Sequence, residues 1–376
     1  MINFRKEQLD ILDYKSGVMA IPSVPGSGKT FILTHLVLKL HKNLNPKKKI
    51  LLLTYMNSSV ENFYTRLKTL DKNLDNIHIK TIHKFSLDLI KENINFLNIS
   101  SDFSLIDSVS HNRLVNDIFK IWFLENKDKF SIFFKNNSYN SEFQDDFYIN
   151  LKFSMQKFIS TAKNYGLSSE LISKKILSIE ENKVLDLSNS FYEVYQNKLK
   201  ELNYLDYDDL LYFAYKLLKN QKSIRAYYQN FYEYILEDEA QDSNLLQNKI
   251  VALITNKNLV KVGDSNQNIT GTFTLSSPKL FRNFCAKTPC TMSLNTSYRS
   301  SKNIIDFSNL FLKYTSLKHP CLNARKALKM NFMSFKELES GNNVKSDKNK
   351  IRAYYAESFE EEILICLKKV KAFKKK

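Results

Sequence analysis

The stretch that decides the fold is Ser-Gly-Val-Met-Ala-Ile-Pro-Ser-Val-Pro-Gly-Ser-Gly-Lys-Thr-Phe, at residues 16–31. The apolar run at residues 18–21 predicts a short buried strand. A loop rich in Pro and Gly follows at residues 22–28, and the apolar spacing of residues 31–40 predicts a helix after it. The sequence therefore predicts a strand, a glycine-rich loop and a helix in direct succession.

This order is that of a phosphate-binding P-loop. Gly26 and Gly28 let the backbone wrap around a phosphate with its N–H groups turned inward, and a helix N-terminus favours the same anion. Lys29 can reach the β- and γ-phosphates of ATP, and the Thr30 hydroxyl can bind Mg²⁺. Ser23 stands where the strict G-x-x-x-x-G-K-[ST] pattern has its first glycine. The residues predicted to bind ATP phosphates are Ser23, Pro25, Gly26, Ser27, Gly28, Lys29 and Thr30.

Length and composition indicate a globular protein with more than one domain. The chain has 376 residues, of which 43% are hydrophobic and 25% are charged. Its 56 Lys and Arg residues against 39 Asp and Glu residues give a net charge of +17. This excess favours a polyanionic partner such as nucleic acid or an anionic membrane surface, and a merely solvated basic surface is the alternative.

The sequence contains no signal for a membrane or an export route. No run approaches the roughly 18 apolar residues that span a bilayer, and residues 1–7 do not form a signal peptide. The four cysteines lack metal-ligand spacing and are expected to be free thiols in a reducing compartment. We therefore expect no membrane partner and a cytoplasmic location, or an organellar one if the chain is plastid-encoded or imported.

Alternating strands and helices continue through residues 1–93. Strands are predicted at 50–54 and 77–81, and Asn57 is predicted to cap a helix that begins at Ser58. This β-α-β order implies a parallel sheet that is covered on both faces.

A helical block interrupts the α/β pattern. Residues 108–203 show helical periodicity, and strand patterns resume only at 232–237 and 259–263. Beyond these, the pattern predicts helices at 279–285, 303–314 and 358–373 and strands at 291–294 and 351–355. An all-helical block between two α/β halves predicts an inserted domain. The predicted domains are residues 1–93 with 204–288, the insertion 94–203, and a further partial α/β domain at 289–376.

An acidic strand end supplies the second half of a nucleotide site. Residues 234–242 read Tyr-Ile-Leu-Glu-Asp-Glu-Ala-Gln-Asp, an apolar strand that ends in adjacent carboxylates as a Walker B element does. Asp238 is placed to support Mg²⁺, and Glu239 is placed to activate a water against the γ-phosphate. A solvated acidic strand end is the alternative, and the P-loop upstream argues against it.

A series of motifs, in sequence order, resembles those of the UvrD/Rep-like superfamily 1 DNA helicases. Asp-Glu-Ala-Gln-Asp-Ser-Asn at 238–244, followed by Gln247, resembles the motif D-E-x-Q-D-[TS]-N-x-x-Q. The others are Gln8 after Phe-Arg-Lys-Glu, Thr-Tyr-Met-Asn-Ser at 54–58, Thr-Ile-His-Lys-Phe at 81–85, Leu-Asp-Tyr-Asp-Asp-Leu-Leu at 205–211, Val-Gly-Asp-Ser-Asn-Gln at 262–267 and Asn-Thr-Ser-Tyr-Arg-Ser-Ser at 295–301. Their order and spacing argue against a chance match.

The resemblance implies an α/β fold of the P-loop NTPase, RecA-like class. It implies a parallel sheet with an inserted all-helical subdomain and a partial second RecA-like domain. The implied activity is that of an ATP-dependent DNA helicase or translocase with 3′-to-5′ polarity, with ATP and Mg²⁺ as cofactors. The implied partner is single-stranded DNA or a junction of single- and double-stranded DNA.

The resemblance also implies roles for individual residues. Glu239 would be the catalytic base, Gln267 would sense the γ-phosphate, and Arg299 would act as an arginine finger. The implied catalytic set is Lys29, Glu239, Gln267 and Arg299. Gln8, Tyr298 and Arg299 join the phosphate loop in binding ATP, and Thr30 and Asp238 hold Mg²⁺. The implied DNA-binding residues are Thr54, Tyr55, Asn57, His83 and Phe273.

For two of the DNA-binding residues a purely structural role is the alternative. Tyr55 could be a core aromatic, and His83 could cap a helix. At other positions the chain departs from the family pattern. Phe31 stands where the family often has Arg, and Phe273 is the one aromatic that remains in the stretch after Gln267.

Beyond Arg299 no stretch resembles the later motifs of the family. We therefore expect a helicase truncated within its second motor domain. Two further possibilities stay open beside an active motor. The chain could be a non-cycling relic that binds ATP and DNA, or half of a split helicase whose missing part a separate chain supplies. An unrelated P-loop ATPase or kinase is a third possibility, and the motifs at 238–242 and 298–299 argue against it.

Overall fold

The computed structural model describes residues 3–130, 141–176, 183–267, 276–322, 325, 334–335, 351 and 354–374. The chain forms two compact units. The first unit contains Met1–Ser23 and Gly28–Leu294, and the second contains Val24–Ser27 and Asn295–Lys376.

A six-stranded sheet organises the first unit. The strands, in chain order, are β1 (Val18–Pro22), β2 (Lys49–Thr54), β3 (Ile77–Thr81), β4 (Ser104–Leu105), β5 (Tyr204–Leu205), β6 (Tyr232–Glu237), β7 (Asn258–Gly263), β8 (Cys290–Thr291), β9 (Thr296–Ser297) and β10 (Ser334–Phe335). The sheet has the order β3-β2-β6-β7-β1-β8, and each neighbouring pair is parallel. The predicted parallel sheet is thus confirmed. In the second unit β9 pairs with β10, also in parallel.

The helices surround this sheet and fill the predicted insertion. They are α1 (Lys6–Leu12), α2 (Lys29–Lys42), α3 (Asn57–Leu70), α4 (Ile82–Glu92), α5 (Ser108–Glu125), α6 (Lys127–Phe130), α7 (Ser141–Asn164), α8 (Ser169–Ile176), α9 (Lys183–Glu201), α10 (Tyr207–Asn220), α11 (Lys222–Phe231), α12 (Leu245–Ile254), α13 (Pro278–Lys287), α14 (Lys302–Lys318) and α15 (Phe359–Lys374). Short 3₁₀ helices lie at Ile94–Phe96 and Ala240–Asp242.

Both faces of the sheet are buried, as the apolar strands require. Successive side chains of a strand point to opposite faces, so Ile50 and Leu52 of β2 join one core while Leu51 and Leu53 join the other. The first core contains residues of α1, α2 and α3, and the second contains residues of α4, α10, α11 and α12. A sheet covered by helices on both faces is the arrangement that the β-α-β pattern predicts.

The helical block has an aromatic core of its own. Residues from α5, α6, α7, α8 and α9 pack around Trp122, Phe119 and Phe191. The chain enters and leaves this block side by side, because β4 pairs in parallel with β5 at Leu105 and Leu205. The assignment of residues 94–203 as a separate subdomain, like the other domain boundaries, stays a prediction.

Some local predictions were wrong. Asn57 is the first residue of α3 rather than its cap, and no side chain caps that helix at Met56. Thr81, not His83, caps α4, since the Thr81 hydroxyl accepts a hydrogen bond from the Lys84 N–H at 3.2 Å. The capping role considered for His83 therefore does not apply.

Two predicted strands also differ from the structure. The strand expected at 291–294 is only β8, and Leu294 instead forms an isolated parallel bridge to Ser23. Of the strand expected at 351–355, Ile351, Tyr354 and Tyr355 lie in no strand. Residues 352–353 lie outside the described residues.

A buried ion pair joins the two central strands. Glu237 of β6 and Lys261 of β7 are register partners, and Lys261 Nζ lies 2.6 Å from Glu237 Oε2. Each side chain is only 4% exposed. Lys261 also donates to Asn248 Oδ1 at 2.7 Å, and the Ser243 hydroxyl donates to Glu237 Oε1. The pair is therefore supported by further hydrogen bonds, as a desolvated pair must be to persist.

Removing one partner of this pair should destabilise the protein strongly. We expect Lys261→Met to lower the free energy of unfolding by about 3–5 kcal/mol, because it leaves the Glu237 carboxylate buried and unpaired. The double variant Glu237→Leu/Lys261→Met is the control, and it should recover most of that loss. Urea unfolding followed by circular dichroism measures both. A loss of less than about 1 kcal/mol in the single variant would show that this pair does not anchor the strands.

Candidate nucleotide-binding and DNA-binding site

Charged residues follow three neighbouring strands at one edge of the sheet. The central strands β6, β7 and β1 are adjacent and parallel, so their carboxyl ends meet at the same edge. Asp238 and Glu239 follow β6, Asp264 follows β7, and Lys29 begins the helix after β1. The fold therefore brings these charged side chains, which are far apart in sequence, to one place.

Lys29 and Glu239 are in direct contact. Lys29 Nζ lies 2.8 Å from Glu239 Oε2, and the Lys29 side chain is only 10% exposed. Glu239 has a φ of 51° and a ψ of 42°, a left-handed conformation that is uncommon for a residue other than glycine. Such a conformation costs on the order of 1–3 kcal/mol and is found mostly at functional sites. The strand end thus turns sharply and directs Glu239 to the phosphate-loop lysine.

Two buried aspartates, Asp238 and Asp264, lie beside this ion pair. Among the described residues, neither Asp238 Oδ1 nor Asp264 Oδ2 has a hydrogen-bond partner. Burial and the neighbouring Glu239 charge raise the pKa of Asp238 to about 7. Burial likewise raises the pKa of Asp264. Buried carboxylate oxygens of this kind are what a divalent cation would satisfy.

The donor set fits Mg²⁺ rather than a metal held by protein groups alone. The described ranges contain no cluster of three or more His, Cys, Asp and Glu side chains that could enclose a metal. Mg²⁺ usually keeps several waters and takes only one or two protein groups beside nucleotide phosphates. Thr30 and Asp238 were predicted for that role. Asp264 was not predicted, although the sequence Val-Gly-Asp after an apolar strand was a usable signal.

Gln241 links the acidic strand end to the loop after β7. Its Nε2 donates to Glu239 Oε2 at 2.9 Å, and its Oε1 accepts from the Asp264 N–H at 2.9 Å. The side chain is 1% exposed. A Cβ atom at Gly263 would lie 2.5 Å from this same Oε1 and 3.1 Å from the Phe281 ring. The glycine of the Val-Gly-Asp sequence therefore leaves the space that Gln241 occupies.

Ser23, at the position of the first P-loop glycine, extends the sheet. Its N–H and its hydroxyl both donate to the Gly263 carbonyl, at 2.9 and 3.0 Å. The side chain is buried and its hydroxyl hydrogen is already engaged. Ser23 thus anchors the start of the loop to β7, and its predicted contact with phosphate stays a prediction.

The tip of the phosphate loop belongs to the second unit with the predicted ATP-binding residues Tyr298 and Arg299. The Tyr298 N–H donates to the Gly26 carbonyl at 3.0 Å. Gly26 has a φ of 74°, and a Cβ there would lie 2.5 Å from Arg299 Cβ and 2.8 Å from Ser297 Oγ. Close approach and backbone conformation both require glycine at position 26.

Gln8 and Phe31 lie near the other phosphate-loop glycine. Gly28 has a φ of 92°, and a Cβ there would be 3.4 Å from Gln8 Nε2. The Gln8 Oε1 accepts from the Arg5 N–H at 3.2 Å, which leaves its amide N–H groups toward the loop. Phe31, in the position of the expected Arg, packs its ring against His35 at 4.5 Å.

The remaining predicted catalytic residue, Gln267, ends a turn after β7. Its N–H donates to the Asp264 carbonyl at 3.0 Å, so the residue follows directly on the buried aspartate. Phe273 lies outside the described residues, and its predicted contact with DNA stays a prediction.

Four of the predicted DNA-binding residues lie at or just after the carboxyl ends of β2 and β3, which are neighbouring strands on one side of the sheet. Thr54 ends β2, and its register partner Thr81 ends β3 just before His83. Thr54 is buried and its hydroxyl donates to the Met56 carbonyl at 3.0 Å, so the hydroxyl hydrogen is engaged within the loop after β2. Tyr55 is half-buried and Asn57 is exposed. Tyr55 is therefore not one of the buried core aromatics.

His83 has an aromatic neighbour that sequence reasoning did not assign to DNA binding. The His83 and Tyr207 rings lie 6.1 Å apart at 76°, and Tyr207 is 59% exposed. Burial lowers the pKa of His83, opposed by the nearby Asp208 charge, so the imidazole is neutral near pH 7. The signal for Tyr207 was present in the stretch 205–211, as an aromatic among carboxylates at a helix start.

These features define a P-loop fold of the RecA-like class. The family described as the UvrD/REP helicase N-terminal domain matches residues 4–289. The chain therefore belongs to the UvrD/Rep family of superfamily 1 DNA helicases, as its motifs predicted.

The similar proteins are bacterial DNA helicases. The chain is 28% identical, over 85% of its length, to the ATP-dependent DNA helicase PcrA of Staphylococcus epidermidis. It is 27% identical, over 84% of its length, to the PcrA helicases of Leuconostoc citreum and Staphylococcus aureus. It covers 39–41% of these proteins, and so spans about two fifths of the length of the curated relatives it matches. Within the described ranges, no helix is long and apolar enough to cross a membrane.

Filling the space at Gly263 should displace Gln241. We expect Gly263→Ala to lower the free energy of unfolding by about 1–3 kcal/mol, since the added methyl group overlaps a buried side chain. The same substitution in a Gln241→Ala background should cost less than half as much, because the overlap with Gln241 is gone. Thermal and urea unfolding of the three variants measure the difference. Equal costs in both backgrounds would contradict this contact.

Proposed function

We propose that this chain is an ATP-dependent DNA helicase or translocase of the UvrD/Rep type, which hydrolyses ATP when bound to single-stranded DNA. The observation that carries the proposal is the contact of Lys29 with Glu239 at 2.8 Å, beside buried oxygens of Asp238 and Asp264 that have no hydrogen-bond partner among the described residues. Lysine, a carboxylate base and a metal-supporting carboxylate are the groups that phosphoryl transfer to water needs. A polarity of 3′ to 5′ is part of the proposal, on family grounds.

In this proposal ATP binding redistributes the charges of the site. Lys29 leaves Glu239 for the β- and γ-phosphates, which frees the Glu239 carboxylate to accept a proton from the attacking water. Thr30 and Asp238 would hold Mg²⁺, which supplies neutralisation of the phosphate charge when bound. Gln241 holds Glu239 in place through its amide, and its carbonyl holds the loop that leads to Gln267.

Further residues would bind the rest of the nucleotide. Gln8 would read the base with its amide N–H groups, and Tyr298 would stack on the base. Arg299 would stabilise the negative charge that develops on the transferred phosphoryl group. Tyr298 and Arg299 both lie against Gly26, which supports a shared role with the phosphate loop.

Single-stranded DNA would lie along the carboxyl ends of β2 and β3. Tyr55, His83 and Tyr207 offer partly exposed rings on which bases can stack with little sequence preference. Asn57 is exposed and could reach a phosphate, whereas the buried Thr54 would shape the loop. The net charge of +17 supports a polyanionic partner. The four cysteines are free thiols, which supports action in a reducing compartment such as the cytoplasm.

The second candidate is a protein that binds ATP and DNA but needs a separate chain to cycle. An exposed apolar face on α14 favours it. Apolar side chains at helical spacing on this helix are each at least half exposed: Ile304, Phe307, Leu310, Phe311, Tyr314 and Leu317. Exposed apolar side chains at this spacing fit a protein partner. ATPase activity of the purified chain alone separates the two candidates.

The phosphate-loop lysine provides the direct test of catalysis. We expect single-stranded DNA to stimulate ATP hydrolysis by the chain, and Lys29→Ala to lower the stimulated kcat by about 100-fold or more. Lys39→Ala, an exposed lysine of the same helix, is the matched control and should keep the wild-type rate. Release of inorganic phosphate measures all three. Absence of DNA-stimulated hydrolysis in the wild type would contradict the motor and leave the second candidate.

Tyr207 provides the test of the DNA interface. We expect Tyr207→Ala to weaken binding of an oligothymidylate by roughly 1–3 kcal/mol, because one stacking surface is lost. Tyr227→Ala is the control, since this exposed tyrosine of α11 precedes β6 and lies at the opposite edge of the sheet. Fluorescence anisotropy measures both, and all affinities should fall steeply with salt. Equal affinities of the two variants, or an affinity independent of salt, would contradict the proposed interface.

A further inference from the structure

Asn164, the last residue of α7, joins the two sides of the candidate site. Its Nδ2 donates to Asp208 Oδ1 at 2.9 Å, and its Oδ1 accepts from Asn244 Nδ2 at 2.6 Å. These partners are 44 and 80 residues away in sequence. Asn164 is only 4% exposed; its hydrogen bond to Asn244 is buried, and the one to Asp208 is partly buried. One buried amide thus connects the ends of α7, α10 and α12.

On the nucleotide side, Asn244 caps the helix that follows the acidic strand end. Its side chain accepts from the Gln247 N–H, and the Gln247 side chain accepts from the Asn244 N–H, each at 2.9 Å. This reciprocal capping box fixes the backbone of Asn244. Only two residues separate Asn244 from Gln241, which bonds Glu239 and the loop at Asp264. A displacement of Asn244 is therefore passed to the carboxylate that would activate water.

On the DNA side, Asp208 follows Tyr207, whose exposed ring lies beside His83. A base that stacks on Tyr207 would contact the first turn of α10 directly. Asp208 is the second residue of that turn and carries the displacement to Asn164. Tyr207 and Asp208 are adjacent in the chain, hydrogen bonds join Asp208 to Asn164 and Asn164 to Asn244, and the two-residue segment 242–243 joins Asn244 to Gln241.

A second buried contact makes the first turn of α10 move as one piece with the end of α7. Lys163 is fully buried, and its Nζ lies 2.6 Å from Asp206 Oδ2 and 2.7 Å from Asp209 Oδ1. The Tyr195 hydroxyl also donates to Asp206 Oδ2, at 2.7 Å. Although burial opposes the charge, Asp206 and Asp209 raise the pKa of Lys163 above its ordinary value. The charged cluster therefore holds α7 and α10 together while Asn164 connects them to α12.

We propose that Asn164 is a positioning residue through which bound DNA and bound nucleotide change each other's affinity. The inference rests on the proposed function, because it assumes that DNA binds at the ring pair and nucleotide at Lys29. It goes beyond that function by assigning the connection to one neutral amide that touches neither ligand. If Asp208 moves and Asn244 does not, or the reverse, a hydrogen bond of Asn164 is broken. This cost links the DNA-bound and nucleotide-bound conformations to each other.

The test measures thermodynamic linkage in the full chain. The affinity for a fluorescent oligothymidylate is determined with and without a non-hydrolysable ATP analogue and Mg²⁺. We expect the analogue to change the wild-type affinity at least about fivefold, and the same factor to appear in the reverse titration. N164D places a carboxylate against Asp208 and should abolish this factor. The double variant N164D/D208N restores an amide–carboxylate pair with the donor and acceptor exchanged, and it should restore the factor.

Two further variants separate positioning from simple stability. Asn189→Asp is the matched control and should keep the factor, since the hydrogen bonds that this buried asparagine makes among the described residues lie within the helical block, at Ser169 and Ser173. Asn244→Ser keeps a helix-capping side chain too short to reach Asn164, and it should lose the factor even if N164D does not fold. Each ligand alone should bind the folded variants within about threefold of wild type, because Asn164 contacts neither.

The outcomes distinguish this inference from the proposed function. The inference is overturned if folded N164D and Asn244→Ser keep the wild-type factor, or if the wild type shows no linkage. It is also overturned if the double variant folds and binds both ligands but does not recover the factor. DNA-stimulated ATP hydrolysis in the wild type would leave the proposed function intact in each of these cases. If the wild type shows linkage but no hydrolysis, the inference stands and the proposed hydrolysis of ATP is contradicted, because linkage is measured from binding alone.

Discussion

The parallel register of β6, β7 and β1 is the constraint on which the candidate site depends. Glu237, the last residue of β6, pairs with Lys261, and Pro22, the last residue of β1, pairs with Gly263, so β1 and β7 end together and β6 ends two residues earlier. The residues that follow the three strands therefore lie close together at one edge of the sheet. The buried ion pair between β6 and β7 lies one residue before the acidic segment and locks that register from within the sheet.

Above the strand ends, a small number of contacts sets the geometry of the charges. Glu239 is held in a left-handed turn, and Gln241 reaches back to it from the buried side. Gly263 is required because Gln241 fills the space where a side chain would be. The left-handed backbone of Glu239 and the close packing at Gly263 thus act together. The first directs the Glu239 carboxylate toward Lys29, and the second leaves room for Gln241 to hold it there.

Sequence patterns predicted those parts of the fold that depend on residues close together in the sequence. The apolar strands, the glycine loop with Lys29 and the carboxylates at 238–239 all stand in continuous stretches, so periodicity and motif spacing were sufficient. The bridge from Asn164 to Asn244 and the pair Glu237–Lys261 could not be predicted, because each needs partners that only tertiary packing brings together. Asn57 failed as a cap for a different reason, because the helix starts one residue earlier than the side-chain preference of Asn57 indicates.

The central claim is that these strand ends form one Mg²⁺-dependent ATP site. Isothermal titration calorimetry of the full chain with ATP, in Mg²⁺ and then in a chelator, tests it most directly. The structure predicts one molecule of ATP per chain in Mg²⁺, with a dissociation constant below about 1 mM, and much weaker binding in the chelator. Absence of ATP binding in Mg²⁺, or binding that the chelator leaves unchanged, would contradict it.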